Sequence, residues 1–260
     1  MRLSQTHFIS LEYCPRLFQY QWIEQLGLTV EAIDPEDSVR SGSEFHQLVQ
    51  QRSLSLPIDA WLLANPQLQQ WWTALTRAEP SLFGEDALQF QASEQVRTWE
   101  CLGQTLVVVY DWVQFRTDRA VILDWKTYPK PEKPQWVAKN WQSRLYPFVL
   151  MQTSDYSAEQ IEMRYWFLEP NAQPLRLPYN SEQATATERD LTTIVTQLNQ
   201  NLAAYEADQT PFPQTDDRDR CQDCLHRVRC GRAASGSANP AIEPELQGVT
   251  WAEIPEIQKN

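Results

Sequence analysis

The chain has 260 residues, 42% of them hydrophobic with 11 tryptophans, enough to bury one substantial core with an appendage. Its apolar stretches are strand-length and its first residues lack the order of a signal peptide, so a cytoplasmic protein that crosses no membrane is expected. A formal net charge of −12 argues against a uniformly basic nucleic-acid binder, and five unevenly spaced cysteines argue against a disulfide framework.

In chain order, residues 14–26 are predicted to form a first helix and residues 43–52 a second that presents His46. Residues 57–79, with Trp61, Leu68, Trp71, Trp72 and Leu75, read as the helical part of an insertion covering about 53–85. Strands are predicted near 88–98, 104–115 and 120–127, the last two joined by the short polar connection Gln114 to Arg119, which suits a hairpin. Val137, Trp141, Leu145 and Val149 then follow helical spacing, and Pro147 within that pattern predicts a kink or a restart. A strand around 161–168 precedes a long amphipathic helix marked by Leu191, Ile194, Leu198, Leu202 and Tyr205, with Ser181 as its expected N-cap. After Arg232 the chain reads as a linker and an acidic, proline-dotted tail.

The segment Val121-Ile122-Leu123-Asp124-Trp125-Lys126 carries the densest chemistry. In an extended chain residues i and i+2 point to one side, so Asp124 and Lys126 are expected to share a face, with Trp125 on the other. A lone pair of this kind is commonly a salt bridge at a strand end. Asp111 changes the balance, because it puts a second carboxylate in the apolar strand paired alongside, and buried acids need a partner or a metal. Glu94 falls on the same parity as Phe90 and Val96, which predicts either an inward carboxylate beside Asp111 or a charge at a strand edge.

Cys221-x2-Cys224 puts two thiolates within reach of one centre, Cys230 can join from the next turn, and Cys14 would complete four. Four thiolates suit tetrahedral zinc or an iron–sulfur cluster, and spacing alone does not separate them. His7 and His226 lie near these cysteines in sequence and would favour zinc if one replaced a thiolate. Cys101, in a predicted hairpin, reads as a free core thiol.

Five segments in order resemble one family. Tyr13-Cys14-Pro15-Arg16-Leu17-Phe18 resembles the opening cysteine motif of RecB-like nucleases of the PD-(D/E)XK superfamily, and Gly42-Ser43-Glu44-Phe45-His46 their G-x-x-x-H motif. Asp111 matches the first metal-binding aspartate, Leu123-Asp124-Trp125-Lys126-Thr127 the D-x-K-T signature, and Gln142-Ser143-Arg144-Leu145-Tyr146 the Q-x-x-x-Y helix. The trailing Cys-x2-Cys-x5-Cys is similar to members that carry a [4Fe–4S] cluster, including AddB-type subunits and CRISPR-associated exonucleases. The family often has glycine three residues before the first aspartate, where this chain has Val108, and residues 47–93 match no motif.

The resemblance implies an α/β fold, a mixed central sheet flanked by helices (a restriction-endonuclease-like core), with a helical insertion and a cysteine-ligated cluster joining the termini. It implies a nuclease domain over 1–231, a cluster-binding segment at 218–231, and a linker and acidic tail over 232–260. Mg²⁺ or Mn²⁺ would be held by His46, Asp111 and Asp124 with the Trp125 carbonyl. Lys126 would orient or help deprotonate the attacking water, and Gln142 and Tyr146 would contact phosphate or hold Lys126. Cys14, Cys221, Cys224 and Cys230 would hold a [4Fe–4S] cluster, with structural Zn²⁺ as the alternative. The implied activity is metal-dependent hydrolysis of DNA, exonucleolytic on single-stranded ends, in repair, recombination or CRISPR-type processing beside a helicase or CRISPR-adaptation partner. The rival expectation is a non-catalytic DNA-binding or assembly subunit, against which stand the intact Asp111, Asp124, Lys126 and His46.

Charge distribution softens the acidity. From Arg116 to Arg144 there are seven Lys/Arg against three Asp/Glu, and Arg218, Arg220, Arg227, Arg229 and Arg232 bracket the cysteine triplet. A focused positive groove on an acidic body is therefore expected, in which Trp99, Trp112, Trp125, Trp136 and Trp141 are either core residues or platforms for unpaired bases.

Overall fold

The computed structural model describes residues 1–26, 37–83, 88–126, 134–168 and 173–232. The first turn of chain, β1 (Arg2–Leu3), leads into α1 (Gln5–Tyr13), whose Ser4 cap is closed by the His7 ring. Cys14 is extended between α1 and α2 (Pro15–Phe18), because proline disfavours a helical conformation in the residue before it. The helix predicted over 14–26 is thus corrected: it begins at Gln5, breaks at Cys14 and passes into a π-turn over Gln19–Ile23. α3 (Asp37–Ser53) carries His46, and α4 (Asp59–Ala64) and α5 (Pro66–Ala78) form the helices expected between it and the sheet.

β2 (Leu88–Cys101) and β3 (Gln104–Arg116) pair antiparallel through a two-residue turn, with both Leu102 and Gly103 at positive φ (49° and 81°). That is the primed turn whose twist matches the flanking strands. β4 (Ala120–Lys126) follows β3 antiparallel, and the crossover through α6 (Pro134–Lys139) and α7 (Trp141–Gln152) returns the chain to β5 (Ile161–Phe167), parallel to β4. β6 (Leu175–Pro178) closes the far edge antiparallel to β5, and β1 joins β3 in parallel. The result is a six-stranded mixed sheet in the order β1-β3-β4-β5-β6, with β2 on β3. α7 runs through Pro147; the break predicted there falls at Asn140, whose side chain accepts the Ser143 N–H and starts the helix afresh. Asn180, not Ser181, caps α8 (Ser181–Asp208) in the same way.

Apolar layers cover both faces. On one side Phe8 of α1, Trp141 and Leu145 of α7, and Leu191 and Leu198 of α8 pack on Val108, Tyr110 and Ile122. On the other, Phe45 and Leu48 of α3 and Trp71 and Leu75 of α5 pack on Trp112, Leu123, Trp125 and Trp166. β4 is consequently apolar at every position until Asp124, as a strand buried on both faces must be. Trp112, Trp125 and Trp141 are core; Trp136 of α6 is 61% exposed. Cys101 is a buried core thiol.

Residues 1–215 form one compact unit and the chain from Asp216 a second. In the second, Asp217 caps a short turn over Arg218–Cys221, and further turns carry the chain past Cys224 and Cys230 to Gly231, whose φ is 65°. The predicted linker and acidic tail beyond Arg232, and Thr127, Lys130 and Lys133, lie outside the described residues. Among the described residues no helix is long and apolar enough to cross a membrane.

Glu79, at the end of α5, is 5% exposed and accepts hydrogen bonds from Arg164 of β5 and Arg176 of β6, each at 3.0 Å. Arg164 is itself buried, while half of the Arg176 side chain is in solvent. Removing the shared carboxylate leaves the buried Arg164 guanidinium with Glu162 as its remaining acidic partner, so Glu79→Ala is expected to lower unfolding free energy by about 2 kcal/mol, the cost of a lost charge-assisted hydrogen bond in a buried setting. Arg176→Ala, on the wet side, should cost under about 1 kcal/mol; urea unfolding of both variants checks the contrast.

Candidate active site

The β3–β4 ladder ends at the pair Trp112↔Leu123, while β4 stays paired with β5 as far as Lys126. Asp111 and Asp124 are the next residues outward, facing each other where the two strands part. The Trp125 N–H, freed from the ladder, donates instead to Asp111 Oδ2 at 2.9 Å. The Trp125 side chain is held at 3% exposure, edge-on to Phe45 of α3. With that ring anchored on the α3 side, Asp124 and Lys126 turn together toward α7. Lys126 Nζ lies 2.5 Å from Asp124 Oδ1 and donates to Gln142 Oε1 at 2.7 Å, while the Gln142 amide N–H donates to Asp124 Oδ2. Gln142 reaches both because Asn140 starts α7 immediately before it.

Across the cleft, α3 brings His46 Nδ1 to 3.7 Å from Asp111 Oδ1 and to 3.7 Å from Glu94 Oε1. Glu94 is reached through an interruption of the pleat. Ser93 pairs with Trp112 and Gln95 with Tyr110, so Glu94 stands opposite Asp111, yet its φ is 50°. On β3, Val108 and Tyr110 face one layer and Trp112 the other, after which Val113 and Phe115 return to the first. The alternation therefore changes phase at this rung. A left-handed non-glycine residue costs about 1–2 kcal/mol and points to a constraint at the site.

Among the described residues, His46, Glu94 and Asp111 form the one group of three or more potential ligands whose donor atoms all lie within 4.8 Å of one another. Asp124, turned toward Lys126 and Gln142, is not in that group. The ligand set expected from the sequence, His46, Asp111 and Asp124, shares His46 and Asp111 with this group. The parity of Glu94 with Phe90 raised it as a candidate, but nothing in the sequence announces the phase change that turns it inward.

These side chains open into one cavity of about 800 Å³, also lined by Gly42, Ser43, Gln47 and Tyr146. Burial pushes the Asp111 carboxyl well above its usual range, and the Asp124 charge pushes it further. Burial also raises Asp124, against the pull of Lys126. Three carboxylates thus meet a single ammonium, with an imidazole alongside. Such an arrangement carries unmet negative charge and matches the oxygen-rich donor sets of Mg²⁺ and Mn²⁺, the imidazole adding a nitrogen that Mn²⁺ accepts readily. Tyr146 contributes mainly to the frame: Tyr110 donates to its carbonyl at 3.0 Å, and burial raises its phenol.

Other candidates are placed elsewhere. Cys14 is buried and its Sγ accepts the Thr215 N–H at 3.4 Å. In the second unit, Cys221 Sγ accepts from Arg232 Nη1 at 3.3 Å. His7 is occupied in the Ser4 cap, and its ring centroid lies 4.0 Å from that of Trp22 with the planes tilted by 33°. Of the cations between Arg116 and Arg144, Arg116 is buried, and Arg144 is paired with Asp190 at 2.5 Å and stacked on Trp141. Arg119 and Lys139 are exposed.

The profile of one family, the PD-(D/E)XK nuclease superfamily, matches residues 2–231. Among solved structures, a candidate exonuclease from Eubacterium rectale shares the fold at TM-score 0.53, with 11% identity over 90% of this chain and 89% of that one. The crystal structure of SSO0001 superposes at TM-score 0.41, with 10% identity over 90% of this chain and 88% of that one. No curated protein sequence gives a significant match.

Gln142 is the one side chain seen to bond both Asp124 and Lys126. Gln142→Ala leaves each with a hydrogen bond unmade in a buried setting, at an expected cost of about 1–3 kcal/mol to the metal-free protein. Thermal and urea unfolding of that variant measures it.

Proposed function

The chain belongs to the PD-(D/E)XK nuclease superfamily, and from that premise we propose that it is a Mg²⁺- or Mn²⁺-dependent deoxyribonuclease that hydrolyses DNA phosphodiester bonds. The observation that carries this reading is the meeting of Asp111, Asp124, Lys126 and His46 around one cavity, from three different elements. When bound there, a divalent cation would polarise the scissile phosphate and acidify a water. Asp111, Asp124 and His46 are assigned to hold it. Lys126 Nζ, a donor with no acceptor capacity while charged, is assigned to orient the attacking water. Gln142 keeps Nζ and Asp124 in register, and Tyr146 supports the α7 face behind them.

The preferred substrate on this reading is the end of a single DNA strand. A flexible strand can bend its phosphate into a recessed cavity, whereas a duplex would need a broad cationic shelf. Two of the cations predicted for such a shelf, Arg116 and Arg144, are committed to the fold. Exonucleolytic action also agrees with the name given to the Eubacterium rectale protein. Trp136, exposed on α6, is the candidate platform for an unpaired base. Repair, recombination and CRISPR-type processing each supply such ends, in company with a helicase or adaptation protein.

For the four cysteines the support is their sequence spacing and, for iron–sulfur over zinc, the resemblance of the trailing Cys-x2-Cys-x5-Cys to cluster-carrying family members. We assign Cys14, Cys221, Cys224 and Cys230 to a four-thiolate centre, a [4Fe–4S] cluster in preference to zinc, within a nuclease domain over 1–231 that precedes a linker and acidic tail. Its part would be structural, since a metal held by thiolates contributes binding energy to folding.

Labelled single- and double-stranded DNA, incubated with the purified protein and Mn²⁺ with and without chelator, tests the activity. Cleavage should require the metal, and Asp124→Ala and Lys126→Ala should each abolish it while retaining the wild-type circular dichroism. Undiminished cleavage by both pure variants would remove the site assignment. An anaerobic preparation should show the brown visible absorbance of iron–sulfur, and Cys224→Ser should lose it together with several degrees of melting temperature. A colourless wild-type protein containing zinc would reassign the centre.

A further inference from the structure

Glu94 belongs to none of the matched motifs, yet its carboxylate comes closer to His46 than hydrophobic burial or strand pairing requires. We propose that Glu94 is a protein ligand of the divalent cation, sharing it with His46 and Asp111, and that the left-handed backbone at this position persists because it delivers that carboxylate. The inference rests on the metal-dependent reading given above and adds to it a ligand from β2.

Three observations converge on it. First, the separations are those of ligands around a common ion. Donors about 2.1 Å from an octahedral cation stand about 3 Å apart when adjacent and about 4.2 Å apart when opposite. His46 Nδ1 lies 3.7 Å from both carboxylates, beyond a hydrogen bond and inside that range. Second, two carboxylate oxygens converge on one imidazole. Asp124 is paired with Lys126 and bonded by Gln142, and one oxygen of Asp111 accepts the Trp125 N–H, while Asp111 Oδ1 and Glu94 Oε1 both turn toward the His46 ring. Third, the group opens into the cavity that also contains Lys126, so an ion held there stands beside the residue assigned to the water.

The donor set has consequences for metal choice. Added to His46, Asp111 and Asp124, Glu94 gives one nitrogen and three carboxylates, a tighter resting site than those three residues alone, and the imidazole favours Mn²⁺ over Mg²⁺. The cation would then be retained between turnovers without a phosphate to complete its shell.

The test is Mn²⁺ titration of the full-length protein without DNA, read by the electron paramagnetic resonance signal of free Mn²⁺. Glu94→Gln should weaken binding about tenfold or more, with an unchanged melting temperature in chelator. Glu94→Gly removes the ligand and relieves the backbone together, so it should bind Mn²⁺ as poorly while its metal-free melting temperature holds or rises, by up to about 4 °C. Wild-type Mn²⁺ affinity in Glu94→Gln overturns the proposal. Asp111→Asn separates this failure from a failure of the underlying reading. If it loses Mn²⁺ while Glu94→Gln keeps it, the role of Glu94 alone falls. If it too binds like the wild type, the cation site falls altogether.

Discussion

Asp124 sits at 3% exposure where an apolar strand ends, and the architecture around it answers that condition. A carboxylate so placed must be neutralised or bonded at every lone pair that matters. The chain supplies Lys126 from two residues further along the same strand and Gln142 from the first turn of α7. Those partners can meet it because β4 parts from β3 at the rung before, while β5 continues to hold its other edge. Had the β3 pairing run on, the Trp125 N–H would have stayed in the ladder and Asp111 would have lost its anchor. The parting of two strands thus both creates the cavity and fixes the first carboxylate in it.

The two aromatic layers explain why so polar a cavity survives inside a sheet. Trp125 and Phe45 clamp the strand end on the α3 side; Tyr110 and Tyr146 meet edge to face on the α7 side, with ring centroids 5.5 Å apart. Four polar residues of the site are flanked in sequence by a large ring locked into a core: Asp111 by Tyr110 and Trp112, Asp124 and Lys126 by Trp125, His46 by Phe45; Glu94, between Ser93 and Gln95, is not. Rigid neighbours convert a flexible carboxylate into a positioned one, which is what a metal or a phosphate needs of it.

This flanking is also why much of the site was legible before any fold was known. Asp124 and Lys126 stand out because an uninterrupted apolar strand leads directly to them, and period-two geometry alone assigns them to one face. Helical spacing on α7 puts Gln142 and Tyr146 side by side, and the Q-x-x-x-Y resemblance is what singles them out. What escaped the sequence is what depends on partners distant along the chain. Period-two reasoning on β2 assumes an unbroken pleat, and the phase change at Glu94 and Asp111 is a joint property of two paired strands. The break at Cys14 was readable from Pro15, and the caps at Asn140 and Asn180 from residue type, but the short strand Leu175–Pro178 has too little pattern to announce itself. Counting basic residues between Arg116 and Arg144 overstated the groove, because burial and the Asp190 pair consume two of them, and burial is a tertiary fact.

The balance of charge that remains gives the proposed chemistry an order. Without a cation, Asp111, Asp124 and Glu94 face Lys126 and His46 in a cavity that would repel a phosphate, on a chain whose net charge already does so. A divalent ion bound among them would cancel that excess negative charge and place a cation at the point where a backbone phosphate must arrive. On that account metal and DNA would not bind independently: occupancy by the ion would be the condition for the strand to enter. The acidity of the rest of the molecule would then serve discrimination, since a long duplex meets repulsion over its whole length and a single strand end only over the few phosphates that reach the cleft.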